Sequence, residues 1–413
     1  MADNIYNRSN GNSSHGQNTI VHYYDKAGVK AANAIAVYAQ FSDRRSMPLK
    51  MGMTYKTSKW LHIADRETGT DAFKKKGYLT ARSIVDISNG LASDVSLPEG
   101  AGPQNKQSIK KVTIETKFAR YGEMIDYTDE VEMFSEDMVQ VRYREELGLL
   151  ANRRAEDLVQ LDMLSTTTNM FSGTANSMEE VGVDVVATDG ADDEHSKVSY
   201  DLIRKAVRRL VRNRAQKNTE IVTGSTKIGT TPINKAFYAI IGPEIKYDLE
   251  NLTRGGSYEK EFVYMPAYKY AAASNLAEGE VGSMGDVRFI ESESQLVYEG
   301  AGAVVPAGYA GGLATTTHAD GSDVALNSFL NTDKYSDGET RFNVYPILFP
   351  TKGSFATVGL KGHGKIKFNS KAPSDIERSN PYGTHGFFSY NMWYAGIILR
   401  EERLLKALVA ASE

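Results

Sequence analysis

Two strand-like runs, residues 53–63 and 108–125, frame more than forty residues rich in Gly, Lys, Asp and Ser, with Pro98 and Pro103 among them. The second run places Val112, Ile114, Thr116 and Phe118 on one side and Lys111, Thr113, Glu115 and Lys117 on the other. That is the two-residue period of a strand with one covered face. Compact domains rarely keep so long a loop without a use for it. The arrangement predicts an extended hairpin arm that reaches away from the body of the protein.

The strongest helical pattern runs from Ser135 to about Thr168. Ser135 can cap it, and Glu136 and Asp137 fall in the first turn, where the helix dipole favours negative charge. Val139, Tyr143, Leu147, Leu150, Ala151, Ala155 and Leu158 form one apolar stripe. On the wet side, Arg142–Glu146 and Arg153–Asp157 are spaced as i,i+4 pairs, each worth a few tenths of a kcal/mol. At 1.5 Å per residue such a helix is roughly 50 Å long and predicts a strut across the molecule. Upstream lie a polar arm, residues 1–19, and a short amphipathic helix, residues 26–41, built on Val29, Ala32, Ala36 and Ala39. Ser46-Met47-Pro48 ends that helix, because proline lacks a donor and restricts its predecessor.

Downstream, an acidic loop carries Glu179, Glu180, Asp184, Asp189, Asp192, Asp193 and Glu194. A second helix follows, Ser199 to about Ala215, with Leu202, Ile203, Ala206, Val207, Leu210 and Val211 turned inward. Its other face carries Arg204, Lys205, Arg208, Arg209, Arg212 and Arg214. Two readings suit this basic face. It is a solvated face that pairs with the acidic loop, or it meets DNA phosphates without sequence preference and with strong salt dependence. Residues 237–241 read as a buried strand entering Gly242-Pro243 and a short helix, residues 244–252. Residues 300–340, rich in Gly, Ala, Thr and Asp, read as a surface insertion. Strand signal returns at residues 342–349 and 356–360, and the chain closes with residues 387–400 and an apolar segment, residues 403–411. No internal repeat is present.

Composition narrows the function. The 413 residues carry a net charge of −4, 41% hydrophobic and 24% charged residues, so nothing global steers the chain to nucleic acid or acidic membranes. Cysteine is absent, which removes disulfides, zinc thiolates, iron–sulfur clusters and a cysteine nucleophile. Residues 1–19 lack the roughly 7–15 apolar residues of a signal peptide. No window approaches the ~18 apolar residues of a membrane span, and no membrane partner is expected. Tyrosine is abundant, 23 against 2 Trp and 15 Phe. It suits surfaces buried on association, and it equally suits strands.

Candidate chemistry dissolves on inspection. Gly359 to Lys365 fits the first part of a phosphate-binding loop, but Ile366 stands where a Ser or Thr hydroxyl is needed. Lys365, Ile366, Lys367 and Phe368 alternate like a strand, whereas phosphate cradling needs a helix start. Asp333, Asp337 and Gly338 mimic a calcium loop, yet Tyr335 and Val344 spoil the third and twelfth positions. The histidines His15, His22, His62, His195, His318, His363 and His385 are scattered without ligand spacing, and no G-x-S-x-G elbow occurs. No cofactor, metal or catalytic residue is expected.

Several short motifs, in their order and spacing, carry a family resemblance. They are Met47-Pro48-Leu49-Lys50-Met51-Gly52-Met53-Thr54-Tyr55, Gly242-Pro243-Glu244 with Tyr247-Asp248-Leu249, and Val358-Gly359-Leu360-Lys361-Gly362. Trp393-Tyr394-Ala395 and Glu401-Glu402-Arg403 complete the set. With them the chain resembles the major capsid family of N-four-like short-tailed bacteriophages, which has the α+β Hong Kong 97-type capsid fold. The family places His before the proline at 243, where this chain has Gly242.

That resemblance implies an N-terminal arm with a short helix (1–50), an E-loop hairpin with flanking strands (51–127) and a P-domain with a spine helix (128–220). An A-domain with the insertion near 300–340 (221–372) and a C-terminal return to the P-domain (373–413) follow. It implies hexamers and pentamers that close an icosahedral head around double-stranded DNA, with the hairpin overlapping a neighbouring subunit. Lys74, Lys75, Lys76, Arg82, Asp86 and Asp94 would then make polar rim contacts between subunits. The basic helix would contact the packaged DNA. A separate scaffolding protein, a portal protein and a decoration protein are the partners such a shell calls on. The rival readings are another repeating phage structural protein, a portal or tail tube, and an enzyme with an unmotifed site. A portal should show longer helices, and a tube protein a shorter and more wholly β chain.

Overall fold

The computed structural model describes residues 37–61, 84, 88, 99–100, 109–134, 139–182, 196–218, 235–252, 279–305, 315–317, 323–325, 332–334, 339–362, 366–374 and 380–411. The chain divides into two units. Unit 1 comprises Met1–Thr57, Glu115–Gln160 and Ala356–Ile397, and unit 2 comprises Ser58–Ile114, Leu161–Phe355 and Ile398–Glu413.

Unit 1 is organised by an antiparallel sheet in the order β15-β16-β4, from β4 (Ala119–Thr128), β15 (Lys367–Lys371) and β16 (His385–Tyr394). β4 and β16 pair over their full lengths, His385 opposite Thr128 and Tyr394 opposite Ala119. Gly122 permits this pairing, because a Cβ there would stand 2.5 Å from the Tyr390 carbonyl oxygen. The long helix α2 (Val139–Leu164) lays Leu147 and Ala151 on Tyr127, Phe388, Tyr390 and Met392 of the sheet. These are stripe residues, buried as their helical spacing predicts. The Tyr127 and Phe388 rings stack at 5.1 Å. A second sheet of unit 1 pairs β1 (Asp43–Met47) in parallel with β14 (Phe355–Leu360), which is followed in the sheet by β17 (Gly396–Ile398).

Several local expectations are corrected. α2 ends at Leu164 rather than near Thr168, because Thr166 and Thr168 turn their hydroxyls to the Leu404 and Glu401 carbonyls. Its 26 residues measure about 39 Å. The ion pairs are Arg142–Glu145 and Arg154–Asp157 at i,i+3, and Arg154 also reaches Glu123 of β4 at 3.3 Å. Before α2 lies an unexpected helix, α1 (Asp129–Phe134). Ser135, Glu136 and Asp137 lie outside the described residues, as do residues 26–36 of the expected first helix; its end is a 3₁₀ turn, Ala39–Phe41.

Unit 2 is built on a six-stranded mixed sheet in the order β5-β18-β13-β6-β8-β7. Its strands are β5 (Asn169–Phe171), β6 (Phe237–Ile241), β7 (Glu280–Met284), β8 (Val287–Glu291), β13 (Tyr345–Phe349) and β18 (Leu405–Val409). β6, β13 and β18 are buried at every residue, the near-continuous apolar signal of central strands. Helix α3 (Tyr200–Arg212) packs Leu202, Ile203, Ala206 and Leu210 into this core, and α4 (Pro243–Glu250) adds Ile245 and Leu249. Pro243 stands at the first helical position, where its missing N–H costs nothing.

The domain limits set by the resemblance differ from these units. Residues 128–220 divide after Gln160, since the stripe of α3 needs the six-stranded sheet to cover it. Residues 373–413 divide after Ile397, since β18 is an inner strand of that sheet. The expected insertion also starts later than residue 300. Gly302 is buried, its N–H donating to the Phe342 carbonyl at 2.8 Å, and a Cβ there would lie 2.4 Å from the Val181 oxygen. Beyond it lie two short antiparallel pairs, β9 (Thr315–Thr317) with β10 (Asp323–Ala325) and β11 (Thr332–Lys334) with β12 (Thr340–Phe342). Gly359 and Leu360 end β14 and Lys367 opens β15, so strands flank the glycine turn.

Candidate assembly and DNA-facing surfaces

The framed arm begins as a two-stranded ribbon, β2 (Thr54–Leu61) with β3 (Lys110–Lys117). Along β3, Lys111, Thr113, Glu115 and Lys117 are exposed while Ile114 and Thr116 are half-buried, and Phe118 beyond it is buried. Val112 departs from the alternation and is exposed. Lys56 and Glu115 join across the ribbon at 2.9 Å, and the Lys56 ammonium holds the Glu115 carboxyl below its usual range. Lys111 lies over the Trp60 ring at 5.6 Å. The proposed contact residues Lys74, Lys75, Lys76, Arg82, Asp86 and Asp94 lie outside the described residues.

The approach to the ribbon has a feature that patterning missed. Between β1 and β2, Lys50 (φ 66°) and Gly52 (φ 86°) adopt left-handed backbone. Leu49, Met51 and Met53 are exposed there, Met51 by 69%. Their two-residue spacing reads as a covered strand face, and within one chain nothing marks that face as open.

On α3 the basic residues separate by role. Ser199 caps the helix by accepting the Leu202 N–H at 3.2 Å. Arg204, Lys205, Arg208 and Arg212 are exposed, with Arg204 placed 5.4 Å over the Tyr200 ring. Arg214, expected on the same face, is exposed but lies beyond the helix end in left-handed backbone (φ 54°). Arg209 is half-buried and donates to the Asn169 carbonyl at 2.9 Å, so it ties α3 to β5. Asn213 ends the helix and is buried, donating to the Glu402 carbonyl at 2.8 Å and accepting from Arg403. Val211 was expected inside but is 53% exposed. Of the acidic loop, residues 183–195 lie outside the described residues.

Two buried titratable groups serve structure. Glu156 accepts the backbone N–H groups of Tyr38 and Ala39; burial raises its pKa to about 7, against the opposing pull of those two donors. Lys406 donates to the Leu164 carbonyl at 2.7 Å, and burial lowers its pKa. Among the described residues, no three His, Cys, Asp or Glu side chains gather as metal ligands, and no helix is long and apolar enough to cross a membrane.

Comparison with known proteins places this architecture. No protein-family model matches the chain. The solved capsid of Ralstonia phage GP4 aligns with a TM-score of 0.51 at 11% identity, covering 90% of this chain and 88% of that one. The capsid of cyanophage P-SCSP1u aligns with a TM-score of 0.45 at 12% identity, covering 90% and 87%. The fold is therefore the Hong Kong 97-type fold of phage capsid subunits. In sequence the chain is 27% identical over 404 residues to the major capsid protein of Pseudomonas phage KPP21, covering 94% of this chain and 92% of that protein. Along nearly its whole length the chain is thus similar to a phage major capsid protein, and with the shared fold this supports a role as a subunit of the head shell.

Proposed function

We propose that the chain closes into an icosahedral head of hexamers and pentamers around double-stranded DNA, with the β2–β3 arm overlapping a neighbouring subunit. The carrying observation is the run of exposed large apolar side chains at the root of that arm, Leu49, Met51 and Met53. Large apolar side chains left exposed close together in the chain point to an interaction site. Weak contacts repeated around a closed shell add to a large collective stability.

Lys74, Lys75, Lys76, Arg82, Asp86 and Asp94 are the arm's rim contacts in this reading. Spine helix and P-domain correspond to α2 and the sheet of unit 1, and the A-domain to the six-stranded sheet of unit 2. A separate scaffolding protein guides closure, a portal protein occupies one vertex, and a decoration protein is an outer partner. Enclosed DNA is met nonspecifically through its phosphates, for which Lys205 and Arg212 of α3 and Arg214 just beyond it are exposed basic groups. The chain acts by geometry, not by catalysis.

The test is co-production with the head-assembly proteins of its phage, followed by negative-stain microscopy. Shells tens of nanometres across are expected from the whole chain. Deleting residues 66–104 should leave a soluble subunit that forms none; normal particles from that deletion would remove the arm from assembly.

A further inference from the structure

The turn between β7 and β8 and one flank of α3 enclose a groove of about 400 Å³. Ile203, Val207, Val211 and Met284 line it with apolar surface. Arg204 and Arg208 border it one helical turn apart, with Arg212 a turn further on. The acid in its wall, Asp286, is held by Lys217 at 2.8 Å, which leaves the groove positive. Phosphate contact alone needs no apolar floor. An apolar floor under a basic border fits a short segment that offers an apolar side chain flanked by carboxylates.

Unit 1 carries such a segment. In α1, Asp129 and Glu130 stand four and three residues before Met133, so the three share one face. Met133 is 73% exposed, and Glu130 is exposed beside it. The Asp129 N–H donates to the Thr384 carbonyl at 3.1 Å, which sets α1 beside a turn whose Tyr382 is 88% exposed. Asn380 fixes that turn, donating to the His385 carbonyl at 2.8 Å and accepting the Thr384 N–H at 3.0 Å. The six residues of α1 measure about 9 Å, and Arg204 to Arg212 span about 12 Å.

We propose that α1 of one copy docks in the α3 groove of a neighbouring copy. Met133 covers Val207 and Val211, while Asp129 and Glu130 face Arg204 and Arg208. The contact rests on the reading of the chain as a self-assembling shell subunit and names one of the interfaces that shell uses.

The chain has no cysteine, so Met133→Cys with Val211→Cys introduces the sole thiol pair. Shells of the double variant, oxidised and run on a denaturing gel, should give a ladder of linked chains, and shells of either single variant should not. Shells that stay monomeric, or a link that leaves the chain at monomer mass, would overturn the contact. As a second measurement, Arg208→Glu and Glu130→Arg should each cut shell yield at least tenfold, and their combination should restore it. If Arg208→Glu leaves yield unchanged and instead weakens binding of DNA fragments, the groove faces DNA and the contact is wrong. A wild-type chain that forms no shells would overturn the shell reading and the contact with it, whereas shells without the link overturn the contact alone.

Discussion

The carboxylate of Glu156 accepts the backbone N–H of Tyr38 at 2.8 Å, across 118 residues of sequence. One turn further along α2, Gln160 donates to the Tyr38 hydroxyl at 2.9 Å. Tyr38 is buried, so two polar groups of a long helix grip one residue, Glu156 by its backbone N–H and Gln160 by its side-chain hydroxyl. This grip fastens Tyr38 and Ala39 to α2.

Glu156 makes that fastening sensitive to pH. Its pKa is about 7 in the folded chain against 4.5 for the free group. Below 4.5 both states hold the proton and burial costs nothing extra. Between 4.5 and 7 the unfolded chain releases its proton first, so stability falls as pH rises, and the full cost stands above 7. Glu156→Gln should flatten this dependence and gain on the order of 2–3 kcal/mol at pH 8. Hydrogen exchange of the Tyr38 and Ala39 amides between pH 5 and 8 measures it; an unchanged pH dependence in the variant would show that Glu156 is ionised throughout.

Lys406 satisfies the Leu164 carbonyl in the last turn of α2, where helix carbonyls lack internal partners. It also lies 5.5 Å over the Tyr298 ring. Lys406→Met keeps the volume and should cost about 1 kcal/mol, the worth of one hydrogen bond. Lys406→Ala adds a cavity and should cost about 3 kcal/mol. Denaturant unfolding of the two variants tests the order, and a Met variant less stable than the Ala variant contradicts it.

Gly122 is set by the backbone of β16. Because an added methyl would meet the Tyr390 carbonyl oxygen at 2.5 Å, Gly122→Ala must push β4 and β16 apart. A loss of about 2–4 kcal/mol is expected. Thermal unfolding of the variant subunit reads it directly; wild-type stability would mean the strands yield without cost.

Arg208 and Arg209 adjoin in sequence and should behave differently. Arg209→Ala removes the bond to Asn169 and should cost about 1.5–3 kcal/mol of subunit stability. Exposed Arg208→Ala should stay within about 0.5 kcal/mol. Equal losses in urea titrations of the two would refute the division of the basic face.

Much of the fold is legible as periodicity. The stripe Leu147, Ala151, Ala155 and Leu158 specifies α2 and its covered face, and the apolar run 237–241 specifies an inner strand. The site was less legible. Ile203, Val207 and Val211 follow one helical pattern, yet Ile203 is buried and Val211 is half in water. Leu49, Met51 and Met53 alternate like core residues and are exposed.

Sequence alone determined which residues share a face, because backbone geometry fixes the 3.6- and two-residue periods. The absence of cysteine likewise settled from composition that no thiol chemistry operates in this chain. Tertiary structure decided what covers each face, since cover comes from segments distant in the chain. It buried Glu156 against Tyr38, drew Gly302 between the carbonyls of Val181 and Phe342, and left Met133 and the α3 groove open. Local pattern cannot distinguish a face that meets its own core from one that waits for a neighbour, because both are apolar for the same physical reason.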